Sequence, residues 1–283
     1  MTKLSLLAGQ INIPAMTTAE ERDAHLRVVT AKLHQQLTAK PHDLVVLPEL
    51  STVDYSRAAF AELSVLAEDL NGPSVKAFGS LAKEHNTTIV FGMPRKAEDH
   101  FKISQVAVGP DGSVIGYYDK LHICQYGASM EKEYFEKGDH LFSFSVKGVK
   151  VAPIICYDIR IPELSRTLAL QHGVDLILHS GAYARDESFF SWHDFVVTRA
   201  LESQIFFLSL NRAGENFGNS TFCPPWTDEN TPRVSFPQTD EHFASIELDT
   251  ATLDQVREDY TFRKDLLKDY AGLQHQEPEL LNQ

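Results

Sequence analysis

Apolar residues recur along this chain in two rhythms that alternate. Leu26, Val29, Leu33 and Leu37 fall at spacings of three and four, which predicts a helix over Glu20–Thr38. On either side stand short apolar runs, Leu4–Ile13 and "DLVVLPEL" (Asp43–Leu50), that predict buried strands; Pro48 closes the second. Pro73 is placed to open a helix over Ser74–Glu84, and "TTIVFGMP" (Thr87–Pro94) predicts the next strand. Two hairpins follow. One turns at Gly109-Pro110-Asp111-Gly112 inside "SQVAVGPDGSVIGYYDK"; the other turns near Lys147-Gly148 inside "LFSFSVKGVKVAPIIC". The pattern then resumes: a helix over Pro162–His172 stopped by Gly173, a strand in "VDLILHSGA", a helix over Trp192–Ser203, a strand in "QIFFLSLNRAG" and a late strand in "HFASIELD".

Strands alternating with helices and interrupted by hairpins predict a layered α/β fold with mixed sheets. No low-complexity linker divides the 283 residues, so a single domain over 1–283 is expected. Hydrophobic residues at 43% are enough for a sizeable core. A formal net charge of −13 disfavours nucleic acid and anionic membrane as partners. The N-terminal apolar stretch is broken by Gly9, Gln10 and Asn12 and reads as a strand rather than a signal peptide. No run reaches the roughly 18 apolar residues of a membrane span. Cys124, Cys156 and Cys223 are odd in number and far apart, which predicts free thiols in a reducing, cytoplasmic setting.

Three predicted strands end in a residue able to do chemistry. "DLVVLP" exits at Glu49, "SVIGYYD" at Lys120 and "VKVAPII" at Cys156. A carboxylate, an ammonium and a thiol form a coherent set: the ammonium favours thiolate and supports a developing oxyanion, while the carboxylate moves protons. Each residue taken alone also has an ordinary reading, as a packed cysteine, a solvated loop carboxylate and a surface lysine. His122, Cys124, His140 and Cys156 lack the spaced pairs of a zinc site, so no metal is expected. His179 and His193 would be needed for a Cys–His pair, but nothing in their spacing singles them out among 12 histidines.

The motifs "LPEL", "YYDKLHI" and "CYDIRIPEL", in that order, resemble the three signatures of the carbon–nitrogen hydrolase (nitrilase) superfamily. "MEKEYFEKGD" and "TRALESQIFFLSLNRAG" resemble supporting segments of that family, and the likeness runs from about Leu4 to Leu248. The resemblance implies a four-layer αββα sandwich, usually a homodimer or higher homo-oligomer, with the tail from about residue 250 a candidate for subunit contacts. It implies Glu49 as general base, Lys120 as oxyanion-stabilising cation, Cys156 as nucleophile and Glu131 as a second glutamate, with Glu133 two residues away as the competing register. No cofactor is implied. "CYDIRIPEL" is most similar to the amidase branch that includes ω-amidases, which act on small carboxamides carrying a distal carboxylate.

For such a substrate Tyr55, Tyr157 (through its backbone N–H), Tyr183 and Arg160 are the candidate contacts, with Arg185 and Arg212 also near. Arg160 has a structural alternative, pairing with Asp158 or Glu163. The alternatives in function are an N-carbamoyl amide hydrolase, a nitrilase, and a non-catalytic oligomeric binding protein. The chain departs from the family at "TFCPPWTDENTPRVSFPQTD", a proline-rich excursion that reads as a lid, a subunit contact or a plain surface loop.

Overall fold

The computed structural model describes residues 2–275. In chain order, β1 (Lys3–Gln10), α1 (Ala19–Ala39), β2 (Leu44–Val46), the short helices α2 (Arg57–Ala61) and α3 (Leu63–Leu66), α4 (Pro73–His85), β3 (Thr88–Ala97), β4 (His100–Val108) and β5 (Val114–Asp119) make the first half. The second half runs through β6 (Phe144–Val146), β7 (Val149–Ile155), α5 (Pro162–Leu170), β8 (Leu176–Gly181), α6 (Phe189–Ser203) and β9 (Phe206–Asn211). It ends with β10 (Thr221–Cys223), β11 (Val234–Ser235), β12 (His242–Asp249), α7 (Thr250–Asp259) and α8 (Phe262–Asp265).

The strands form two six-stranded mixed sheets, ordered β12-β1-β2-β3-β4-β5 and β11-β10-β9-β8-β7-β6. Alternation along each strand sorts side chains between two cores. Leu4, Leu6, Leu44 and Val46 of the first sheet meet Val149, Val151, Leu176 and Leu178 of the second. The opposite face of the first sheet packs Leu7, Val45 and Ile89 against Leu26, Val29 and Leu33 of α1 and Phe78 of α4. The opposite face of the second packs Ala152, Ile154 and Ile177 against Leu164 and Leu168 of α5 and Trp192 and Val196 of α6. The result is the expected four-layer αββα sandwich. Burial on both faces explains why β2 reads as an unbroken apolar run and why β8 opens with three apolar residues.

Local signals hold at most element ends. Thr18 caps α1 in a full capping box with Glu21, and Pro73 occupies the first turn of α4. Lys147 and Gly148 both take positive φ, 48° and 80°, in the two-residue turn that joins β6 to β7. Strand β1 stops at Gln10 rather than Ile13, because the Gln10 amide donates to the carbonyls of Pro237 and Asp240 and anchors a loop.

The proline-rich excursion is not a plain surface loop. Its ends pair as β10 and β11 and complete the edge of the second sheet. In its middle Trp226 stacks on Tyr260 at 3.7 Å, so it meets the C-terminal segment. That segment forms α7 and α8, and residues 276–283 of the expected contact tail lie outside the described residues.

Gly92 in β3 sets how closely the segment carrying Glu49 approaches the sheet. A Cβ there would lie 2.4 Å from both the Leu50 nitrogen and the Pro48 oxygen. Ser51 Oγ accepts the Gly92 N–H at 3.0 Å and ties the same two segments together. Gly92→Ala is expected to destabilise the fold by about 1–3 kcal/mol in urea denaturation, the range for forcing an extra carbon into a packed site. An unchanged midpoint would mean that this loop shifts freely.

Candidate active site

The chain leaves β2 through Leu47-Pro48 into Glu49, and Leu50 takes φ 48°, which turns the backbone sharply and buries the carboxylate. Lys120 directly follows β5. Its N–H donates to the Ile103 carbonyl at 2.9 Å, and the preceding Asp119 accepts from Arg95 and Ser104. The Lys120 side chain is wholly buried, and its ammonium donates to Glu49 Oε1 at 2.9 Å and Glu131 Oε1 at 2.6 Å.

Both carboxylates are held from behind. Glu49 Oε2 accepts the Ala182 N–H at 2.9 Å, which reaches across from the end of β8. Glu131 Oε1 also accepts the Tyr55 hydroxyl at 2.8 Å, and its Oε2 accepts the Cys124 N–H at 2.9 Å. The segment Glu131–Glu133 is a single 3-10 turn, so its two glutamates diverge. Glu131 points inward, whereas Glu133 is exposed and forms a two-pronged pair with Arg57 at 2.6 and 2.9 Å.

Cys156 follows β7 at φ 45°, a left-handed conformation unusual for a residue with a Cβ. Two donors hold its carbonyl: the Tyr183 hydroxyl at 2.7 Å and His179 Nε2 at 2.9 Å. Asp158, fully buried two residues on, fastens the turn from the other side. Its Oδ2 accepts the Ile155 N–H at 2.9 Å and the Tyr118 hydroxyl at 2.7 Å. Its Oδ1 accepts the His122 N–H at 3.0 Å and lies 2.7 Å from His122 Nδ1. One carboxylate thereby joins the thiol-bearing turn to both flanks of Lys120.

Burial and charge set the protonation states. Removal from water raises the Glu49 carboxyl to about 7; Lys120 opposes that rise and Glu131 adds to it. Burial disfavours the Lys120 ammonium, but Glu131 and Glu49 outweigh it and hold its pKa well above the usual lysine range. Burial also pushes the Cys156 thiol well up, and the Glu49 charge pushes it further against the pull of Lys120. Lys120 does favour the thiolate, as expected, but burial and the Glu49 charge outweigh it and favour the protonated sulfur. Glu49, with a carboxyl raised to about 7 and hydrogen-bonded to the Cys156 side chain, is the adjacent group able to accept a proton. His179 is not, because burial lowers it to about 4 and its Nε2 is engaged with the Cys156 carbonyl. His193 is tied to the Asn219 carbonyl at 2.7 Å.

Cys156 opens into a cavity of about 300 Å³ whose wall includes Tyr55, Tyr126, Tyr157, Tyr183 and Arg185. The arginines separate cleanly here. Arg160 is not in the wall: it donates to Ser191 Oγ at 2.8 Å and to the Ser188 carbonyl at 2.9 Å, and its guanidinium covers the Phe195 ring. Neither substrate contact nor pairing with Asp158 or Glu163 describes it, because Asp158 is saturated by its own four contacts. Arg212 pairs with Asp54 at 2.8 Å and with the Ile13 carbonyl. Arg185 alone of the three lines the cavity, donating to the Gln238 carbonyl at 2.6 Å and lying over Phe189.

His122 and His140 are spent on Asp158, Asp139 and the Tyr117 carbonyl, in two separate places. Sequence reasoning passed over Asp158 as a fastener. Its one signal was a turn-forming aspartate two residues beyond the cysteine.

Two sheets sandwiched between helices match known folds closely. A CN-hydrolase superfamily protein of Xanthomonas campestris superposes with a TM-score of 0.81 at 23% identity, covering 96% of this chain and 100% of the other. Nit3 of Saccharomyces cerevisiae, a nitrilase superfamily member, gives 0.79 at 22% identity over 91% and 94% of the two chains.

In sequence, the 2-oxoglutaramate amidase of Bacillus subtilis is 30% identical over 82% of this chain and 87% of its own. The omega-amidase NIT2-B of Xenopus laevis is 26% identical over 82% and 86%, and the (R)-stereoselective amidase of a Pseudomonas species 29% over 84% of each. Residues 8–257 match the model of the carbon–nitrogen hydrolase family. The chain belongs to that family, and is a hydrolase of carbon–nitrogen bonds other than peptide bonds. No helix among the described residues is long and apolar enough to cross a membrane.

Asp158→Ala would strand four donors in a buried turn. It is expected to destabilise the protein by about 3 kcal/mol or more in denaturant unfolding, given the penalty for unpaired buried polar groups. A loss below about 1 kcal/mol would show that water replaces the carboxylate.

Proposed function

We propose that this protein is an amidase that hydrolyses a small carboxamide to a carboxylic acid and ammonia through a thioester on Cys156. The observation that carries the reading is the buried Lys120 ammonium, bonded to Glu49 and Glu131 behind a thiol that faces a cavity. The amidase names of several relatives support it.

The proposed sequence begins as Glu49 takes the thiol proton and Cys156 Sγ attacks the amide carbon. Negative charge gathers on the carbonyl oxygen, where the Lys120 ammonium and the Tyr157 N–H stabilise it. Glu49 returns the proton to the nitrogen, the C–N bond breaks, and ammonia leaves a thioester. Water, deprotonated by Glu49, then attacks the acyl carbon; the C–S bond breaks and the sulfur recovers a proton. Every step uses the chain's own side chains, one backbone N–H and water. Glu131 holds Lys120 in place and keeps its charge fixed.

The cavity narrows the substrate. At about 300 Å³ it sits at the small end of ligand sites, which suits a compact amide. Asp186, also on the wall, has both oxygens engaged, with Ser188 and with the Ala128 N–H. Arg185 retains guanidinium hydrogens beyond its bond to Gln238, and so supplies the positive charge for a distal carboxylate. This favours an ω-amide of a dicarboxylic acid.

Ammonia release from a panel of ω-amides, simple aliphatic amides, N-carbamoyl amino acids and nitriles tests the reading, with Cys156→Ala alongside. Turnover of amides that is lost in Cys156→Ala supports it. Preference for the carbamoyl compounds, with carbon dioxide released, or for nitriles, would replace it. Glu49→Gln is expected to lower kcat by about 10²–10⁴-fold, as removal of a general base does.

The pH profile follows from Glu49. Because its carboxyl is raised to about 7, the base form fills only as pH rises through that value. kcat/KM should therefore climb across neutrality, with the apparent midpoint belonging to the coupled cluster. A flat profile from pH 5 to 8 would remove Glu49 from the role of base. Arg185→Leu should raise KM for carboxylate-bearing amides about tenfold or more, and leave simple amides nearly unchanged.

A further inference from the structure

On the outer helical layer, remote from the cavity, His34 of α1 meets Glu84 and His85 in the last turn of α4. His34 Nδ1 lies 3.0 Å from His85 Nε2 and 3.3 Å from Glu84 Oε1, and all three donor atoms fall within 4.8 Å of one another. The two imidazoles stand edge to face at 4.9 Å between centroids.

We infer that His34, Glu84 and His85 form a surface site for a divalent transition-metal ion of the zinc class, clamping α1 to α4.

Direct hydrogen bonds among the three side chains do not use all of their facing atoms. His34 Nδ1 has one site, either a proton or a lone pair. With a lone pair it accepts from His85, and it then faces a carboxylate oxygen with no proton between them. With a proton it has to divide that proton between an imidazole nitrogen and a carboxylate. A cation at the centre removes the conflict, because all three atoms then point lone pairs at it.

The spacing agrees. Donor atoms about 2.0–2.1 Å from a tetrahedral zinc lie roughly 3.3 Å apart, and two of the three edges here are 3.0 and 3.3 Å. The third closes with rotation of the exposed Glu84 side chain. Two imidazoles and one carboxylate are the donors that zinc takes, and such a set leaves a fourth position for water.

The surroundings favour a cation as well. α4 ends at His85, where Asn86 takes φ 50°, and the last carbonyls of a helix carry partial negative charge. A shallow groove lined by Arg27, Thr30, Ala77, Ser80 and Leu81 leaves the cluster open to solvent. Arg27 is the one fixed cation in that wall and the one repulsive group a metal would face there. The site rests on different residues from the proposed catalysis, so either reading can fail without the other.

The test is calorimetric titration of the full chain with Zn²⁺, in wild type, His34→Ala, His85→Ala and Cys156→Ala. Cys156→Ala controls for zinc held by the thiol. One equivalent bound by both wild type and Cys156→Ala is expected, with affinity reduced about tenfold or more in each histidine variant. Zinc should raise the melting temperature of wild type and not of His34→Ala, while ammonia release by His34→Ala stays at the wild-type rate. Substituted Co²⁺ should give the visible absorption of a tetrahedral N/O site, also lost in His85→Ala. No saturable uptake would overturn the site. So would uptake that survives both histidine changes, or uptake that disappears only in Cys156→Ala.

Discussion

The Lys120 ammonium, enclosed between two carboxylates and without water contact, is the interaction on which the rest of this structure depends. A buried lysine costs several kcal/mol to desolvate unless its charge is met by well-placed acceptors. Here two acceptors meet it at 2.9 and 2.6 Å, and each is in turn bonded to the backbone, at Ala182 and Cys124. The exposed pair Arg57–Glu133 has similar distances, but it lies in water and contributes little. Removing one member of the buried cluster strands the others. That makes the cluster a constraint on the whole sandwich: Glu49 and Lys120 leave the first sheet, while Ala182 leaves the second.

The cluster also explains why the backbone is bent where it is. Leu50 at φ 48° and Cys156 at φ 45° are the residues at which the chain turns out of β2 and β7. Each such conformation costs on the order of 1–3 kcal/mol and persists only where the surroundings fix it. Around Cys156 those surroundings are Asp158, Tyr183 and His179, all buried, all bonded to the turn or its carbonyl. Strain of this kind projects the side chain off the end of the strand and into the cavity. A cysteine in extended backbone at the same place would point along the pleat, into one of the two cores.

Much of the frame was legible in the sequence because burial is nearly periodic here. Leu26, Val29, Leu33 and Leu37 mark one face of α1, and all four are buried. The apolar run at β2 is unbroken, and β8 and β9 each open on three apolar residues, because both faces of these strands are covered. The ends of three such runs at Glu49, Lys120 and Cys156 made a constellation readable before any geometry.

What stayed illegible depends on contacts between distant segments. Whether Glu131 or Glu133 turns inward is decided by a 3-10 turn that no spacing announces. Which arginine reaches the cavity is decided by Ser191 for Arg160 and by Asp54 for Arg212, 31 and 158 residues away. The strands β10 and β11 hide in a proline-rich stretch because edge strands this short, of three and two residues, carry almost no pattern.

The state of the thiol is where sequence logic and physical chemistry part most clearly. A lysine beside a cysteine invites the picture of a standing thiolate, and Lys120 does pull in that direction. Yet the same burial that sharpens the lysine's field penalises any new anion, and the Glu49 charge adds to that penalty. The cluster already holds two carboxylates against one ammonium, so a resting thiolate would make a buried excess of two negative charges. Protonated sulfur beside a carboxylate poised near 7 avoids this: in the proposed reaction the proton moves only as the sulfur begins to share its electrons with an electrophile. The number of negative charges then stays constant while they shift from Glu49 to the developing oxyanion.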